Sequence, residues 1–146
     1  EHYAINAGNR IQTLEGATTL AKTNSLQTTD VTVEAAVFSF TEGNEKFEVP
    51  SLSVKVSTDK VKDITSERYL GTVPTRFGRV DIDTVDPLVS QGDADPSSGQ
   101  MEIFTENSGL VLLPREDGVT VDVQVDANGD GSPEAARTET WAVLGW

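Results

Sequence analysis

The chain has 146 residues and 15.7 kDa, and its 24 acidic side chains outnumber 11 basic ones, for a net charge of −13. That length suits one domain that leaves about 7,300 Å² accessible when folded. With no Cys and a single His, disulfides, thiolate chemistry, Fe–S clusters, Cys-ligated zinc and a Ser-His-Asp triad are excluded.

The first 29 residues read as an N-terminal arm or a short helix. Ala7, Ile11, Leu14 and Ala21 fall near helical spacing, whereas Gly8, Gly16 and the Thr- and Asn-rich tail 18–29 limit any helix. The chain opens at Glu1 rather than Met, as expected of a processed product or a shortened chain. His2 and Tyr3 stand beside one another with no partner motif. A His so placed is read as solvated or docked rather than catalytic.

Residues 30–146 are expected to form an all-β domain, an antiparallel β-sandwich or jelly-roll-like fold of about seven or eight strands. Val and Thr dominate, and both favour a pleated, half-buried surface. In 31–40 alternation runs from Val31 and Val33 to Phe38 and Phe40 and slips at Ala35 and Ala36, which reads as a bulge or bend. Segment 47–58 sets Leu52, Val54 and Val56 against Ser53, Lys55 and Ser57, with Pro50 marking an edge or strand start. Val80 and Ile82 alternate with Asp81 and Asp83.

Segment 91–99 (QGDADPSSG) is a loop by composition. Segments 101–105 and 110–113 are predicted to form a hairpin around 106–109. The clearest strand places Val119, Val121, Val123 and Val125 on one face. A last strand is expected over 138–144, with Trp141 in the core. No apolar run approaches the ~18 residues of a membrane span.

Charge is concentrated in the second half. Residues 1–79 hold ten acids and nine bases, a balance of −1, whereas 80–146 hold fourteen acids and two bases, Arg115 and Arg137, a balance of −12. Nucleic-acid phosphates and anionic membranes are therefore poor partners. Counter-ions or high salt would relieve the repulsion.

One stretch concentrates hard oxygen donors: Asp126, Asn128, Asp130, Ser132 and Glu134 alternate with Ala127, Gly129, Gly131 and Pro133. Oxygens at alternate positions and a Gly for the sharp turn are what a loop needs to curl around Ca²⁺. The stretch resembles the calcium loops of EF-hands and dockerins and the DxNxDG loops of β-rich extracellular domains. That resemblance implies side-chain ligands at Asp126, Asn128 and Asp130, the carbonyl of Ser132, and Glu134 directly or through water. Arg137 occupies the position of the EF-hand's bidentate Glu, and strands rather than helices flank the loop. The expectation is a calcium-type loop between two strands, completed by Glu139 or another acid, with affinity near 10⁻⁴–10⁻³ M as in extracellular modules, roughly. Asn-Gly and Asp-Gly are also the preferred residues of a bare hairpin turn.

A second acidic group, Asp81, Asp83, Asp86, Asp93 and Asp95, reads as a solvated strand face, as a shared cation site, or as a glycosidase carboxylate pair. Trp146, Trp141, Tyr3 and Tyr69 could stack on sugar rings. The functional expectation is a non-enzymatic, homo-oligomeric or polymeric structural subunit. It would be extracellular, in a filament or surface layer, or part of a virion. The alternative is a secreted calcium-dependent carbohydrate-binding or adhesion module, with a glycan as partner.

Overall fold

The computed structural model describes the backbone of residues 2–7, 10–42, 45–75 and 78–145, with side chains described for 19–35, 39, 46, 48–75 and 78–145. Eleven strands form one sheet: β1 (His2–Ala7), β2 (Arg10–Asn24), β3 (Thr28–Glu42), β4 (Glu45–Val49), β5 (Ser51–Asp59), β6 (Ile64–Thr75), β7 (Gly78–Gln91), β8 (Ser98–Phe104), β9 (Gly109–Pro114), β10 (Thr120–Asp126) and β11 (Ala135–Thr140). All pairings are antiparallel and, apart from β3 with β5, join neighbours in sequence. β4 and β5 follow one another along β3, and β1 and β11 lie at the two ends.

The chain is all-β as expected, but it forms one meander instead of the two sheets of a sandwich, and it has more strands than expected. Residues 2–24, expected as an arm or short helix, are strands: β1 pairs with the start of β2, and β2 pairs with β3 along its length. The long β3 ladder overrides the weak helical spacing, because a Thr-rich segment gains more from cross-strand pairing than from a Gly-interrupted helix. The segment 47–58 is two strands, because Pro50 has no N–H to donate to the ladder. β6 carries no apolar alternation. The last strand ends at Thr140, where Trp141 begins α1 (Trp141–Leu144), the one helical turn among the described residues, closed by Gly145 at φ 83°.

The slip at Ala35 and Ala36 is a bulge. Ala17 faces Val37 and Thr18 faces Ala35, leaving Ala36 as the extra residue on β3. A second irregularity surrounds Pro87. The β6–β7 register jumps between the Glu67–Leu88 and Leu70–Asp83 pairs, and the Tyr69 N–H donates to the Thr84 hydroxyl at 2.8 Å.

Turn chemistry sets the hairpins. A short polar side chain at the end of the incoming strand accepts backbone N–H groups two and three residues on, which bends the chain without a cofactor or a buried cost. Ser25 takes Gln27 and Thr28, Asp59 takes Val61 and Lys62, and Asp117 takes Val119 and Thr120.

One face of the sheet is apolar across many strands. The rows Leu20–Val33–Val54–Tyr69 and Ile82–Ile103–Leu110–Val125 follow directly from the registers. The largest buried cluster lies in the second half of this face: Leu88, Met101, Leu112, Val121, Val123 and Trp141, with Tyr69, Ile82 and Ile103 packed against it, while Ala35 and Val49 are buried in the first half. Trp141 lies over it, fully buried, and its indole N–H reaches the Pro96 carbonyl at 3.1 Å. Toward β2 the cover thins, and Leu20 is 68% exposed. The accessible surface is 9583 Å², roughly 2,300 Å² more than a compact chain of this mass exposes.

Candidate metal centre at the β10–β11 hairpin

The turn device seen at Asp59 and Asp117 repeats at Asp126, extended over the longest of the described hairpin loops. Asp126 Oδ1 accepts the N–H groups of Gly129 (2.6 Å) and Asn128 (3.2 Å), and Oδ2 accepts that of Gly131 (2.7 Å). Asn128 Oδ1 accepts the Asp130 N–H and Asp130 Oδ1 accepts that of Ser132, both at 2.8 Å. Alternate side chains thus each hold the backbone two residues on, which winds the loop into a tight coil. Gly129 and Gly131 sit at φ 76° and 85°, in the left-handed region. A Cβ on Gly129 would also lie 3.0 Å from the Asn107 carbonyl carbon, so the coil rests directly on the β8–β9 turn.

Glu134 closes the coil from the far side. Its N–H donates to the Val125 carbonyl at 3.0 Å, and its Oε2 accepts the Ala127 N–H at 2.6 Å. Carboxylate oxygens of Asp126, Asp130 and Glu134 lie within 4.8 Å of one another. The Asn128 side-chain amide stands between them, donating to Asp130 Oδ2 and to Glu134 Oε1. Burial works against ionisation of Asp126, but the N–H groups of Gly131, Gly129, Asn128 and Asp130 outweigh it and hold its carboxyl below the usual carboxylate range. The result is a set of hard carboxylate oxygens at the tip of a hairpin. Oxygen donors of this kind fit Ca²⁺ far better than a softer metal.

Of the five expected ligands, three carboxylates converge. Asn128 bridges two of them through its N–H₂, and Ser132 contributes its N–H to Asp130. Glu139 is not brought to the loop. It stands opposite Val121, four residues and about 13 Å of strand beyond Ala135, and pairs with Arg137 at 3.2 Å.

The second acidic group does not converge. Asp81 bonds the Thr72 hydroxyl and Arg79 Nε (3.2 Å) on the outer face. The Thr72 hydroxyl, against a smaller burial effect and helped by Arg79, keeps its carboxyl low. Asp83 faces Leu70 and Glu102, Asp86 faces Gln100, and Asp93 and Asp95 lie in the 92–97 loop.

Sequence reasoning missed the outer face beside the acidic loop. Phe104, Gly109 and Asp126 form one cross-strand row, and Glu102, Val111 and Gln124 the next. With Gly131 and Pro133 folded over them, they line an open depression of about 230 Å³, with Phe104 41% exposed at its edge. The alternation that turns Glu102 to the outer face also turns Phe104 there two residues on, a signal that reading β8 as a plain strand overlooks. Tyr69 packs against the core with its hydroxyl on Glu67 at 2.6 Å. The side chains of His2 and Tyr3, and Trp146 altogether, lie outside the described residues.

Comparison of the chain with protein-family models, curated proteins and solved structures gives no match.

Proposed function

We propose that the chain is a non-enzymatic structural subunit of an extracellular filament or surface layer, or of a virion. It joins copies of itself through its sheet edges and N-terminal strands and is stabilised by Ca²⁺ at Asp126, Asn128, Asp130, Ser132 and Glu134. The observation that carries this reading is the open sheet. Its end strands β1 and β11 each pair on one side alone among the described residues, and its surface is well above that of a compact chain. Sheet edges are templates for further strands, and association removes the excess surface. A cation at the β10–β11 hairpin would take the place of the Asn128 N–H₂ as the bridge between Asp130 and Glu134. It would also offset part of the −12 balance of residues 80–146. Static light scattering with Ca²⁺ and with EGTA tests the reading. Assemblies larger than one chain, larger still with Ca²⁺, are expected, and a monomer in both buffers rejects it.

One observation favours a second reading, a calcium-dependent carbohydrate-binding or adhesion module. An exposed aromatic ring, Phe104, and the polar ends of Glu102 and Gln124 line a depression beside the metal loop. Apolar ring faces beside fixed polar groups suit sugars. Binding on a glycan array that disappears with EDTA in a monomeric protein would favour this reading over the first.

A further inference from the structure

The geometry points to a head-to-tail contact in which β11 of one copy pairs antiparallel with β1 of the next; this rests on the structural-subunit reading and specifies its interface. Three observations select this pairing. First, polarity: along β1-β2-β3-β5-β6-β7-β8-β9-β10-β11 there are nine antiparallel steps, so β1 and β11 run in opposite directions. A second copy shifted sideways without being turned over continues the meander. Both strands have six residues, so the ladder has no overhang.

Second, β11 has its outward backbone groups free for pairing. The Trp141 N–H donates to the Val119 carbonyl at 3.1 Å, which fixes the alternation along the β10–β11 ladder. The N–H groups of Ala135, Arg137 and Glu139 therefore face β10, and those of Ala136, Thr138 and Thr140 face outward. No Pro interrupts β11, and residues Ala135 to Thr138 are exposed. Its two charged side chains neutralise one another as the Arg137–Glu139 pair.

Third, charge. Pairing β11 with β11 of another copy would set two halves of balance −12 side by side. Pairing it with β1 sets that half against one of balance −1. Like-charge juxtaposition penalises the symmetric contact. A heterologous contact repeats, giving an open filament or, if the rotation closes, a ring.

The absence of Cys makes cross-linking a clean test. Single variants Ala4→Cys, Ala136→Cys and Ala21→Cys, the last on the stretch of β2 that β1 does not cover, are treated alone and in pairs with a short bismaleimide. The expected product is a dimer from the Ala4→Cys and Ala136→Cys mixture, with little from either alone. Dimers of either variant by itself, or capture of Ala136→Cys by Ala21→Cys instead, overturn the assignment. So does an internal cross-link in the chain carrying both Ala4→Cys and Ala136→Cys. A second arm uses Ala136→Pro, which removes an outward N–H while sparing the β10 ladder. Its mass by light scattering is expected to fall to that of one chain, 15.7 kDa, with an unchanged circular dichroism spectrum. Unchanged assembly in that variant overturns the edge. A monomeric wild-type chain rejects the structural-subunit reading itself, whereas an assembly cross-linked elsewhere rejects the edge alone.

Discussion

Trp141 Nε1 donates to the Pro96 carbonyl at 3.1 Å, tying the residue after the last strand to a loop 45 residues earlier. This bond fastens both the helical turn α1 and the 92–97 loop over the apolar face. Trp141→Phe keeps most of the ring but leaves a buried carbonyl without its donor, and is expected to cost about 1–3 kcal/mol. Trp141→Ala also opens a cavity over Leu88 and Val121 and is expected to cost about 3–5 kcal/mol. Urea denaturation followed by circular dichroism checks the order. No loss in Trp141→Phe would show that the indole N–H contributes nothing.

Gly99 and Gly131 both have positive φ, 118° and 85°, but differ in their surroundings. A Cβ on Gly99 would lie 2.3 Å from the Pro87 carbonyl oxygen, whereas one on Gly131 meets nothing within 4 Å. Gly131→Ala is expected to cost about 1–2 kcal/mol, the left-handed backbone penalty alone. Gly99→Ala must in addition push β8 away from β7 and lower the melting temperature further. Similar melting temperatures would mean that the strands separate there at no cost.

Acid should unfasten the outer face. Asp117 is held below its ordinary range by the Thr120 hydroxyl, then by the N–H groups of Thr120 and Val119. Asp122 is held low by the Thr138 hydroxyl and, against burial, by Arg115. A carboxyl depressed in the folded state stabilises fully above its unfolded pKa, near 3.9, roughly, and that contribution is lost as pH falls through the lower folded value. Protonating the acidic half also relieves repulsion, so the measurement is a difference. The melting-temperature gap between wild type and Asp117→Asn is expected to be widest above pH 5 and to shrink toward pH 2. A gap independent of pH contradicts the assignment.

Calcium should raise the melting temperature at millimolar concentration. With a dissociation constant of roughly 10⁻⁴–10⁻³ M, 10 mM Ca²⁺ would stabilise by about 1.4–2.7 kcal/mol. The double variant Asp130→Asn, Glu134→Gln keeps Asp126 as the turn-former and is expected to lose the response. Mg²⁺, which demands a smaller octahedral shell, should give less. A shift that survives in the double variant would place the ion elsewhere.

Much of the local structure is written in the residues themselves. Val121, Val123 and Val125 set one face of β10 and the register of its neighbours, because the side-chain period of a strand is two. The slip at Ala35 and Ala36 marks its bulge, and Pro50 marks its break. The alternating oxygens from Asp126 to Glu134 mark the loop, since their hydrogen bonds stay within that one short stretch. What tertiary structure decided is of longer range. Residues 2–24 are strands because β3 offers them a ladder, not because their own spacing asks for one. The single open sheet, the exposure of Phe104 beside the acidic loop and the anchoring of Trp141 on Pro96 depend on segments tens of residues apart. Periodicity tells a strand which of its faces is apolar, but what covers that face is fixed only when the whole sheet has formed.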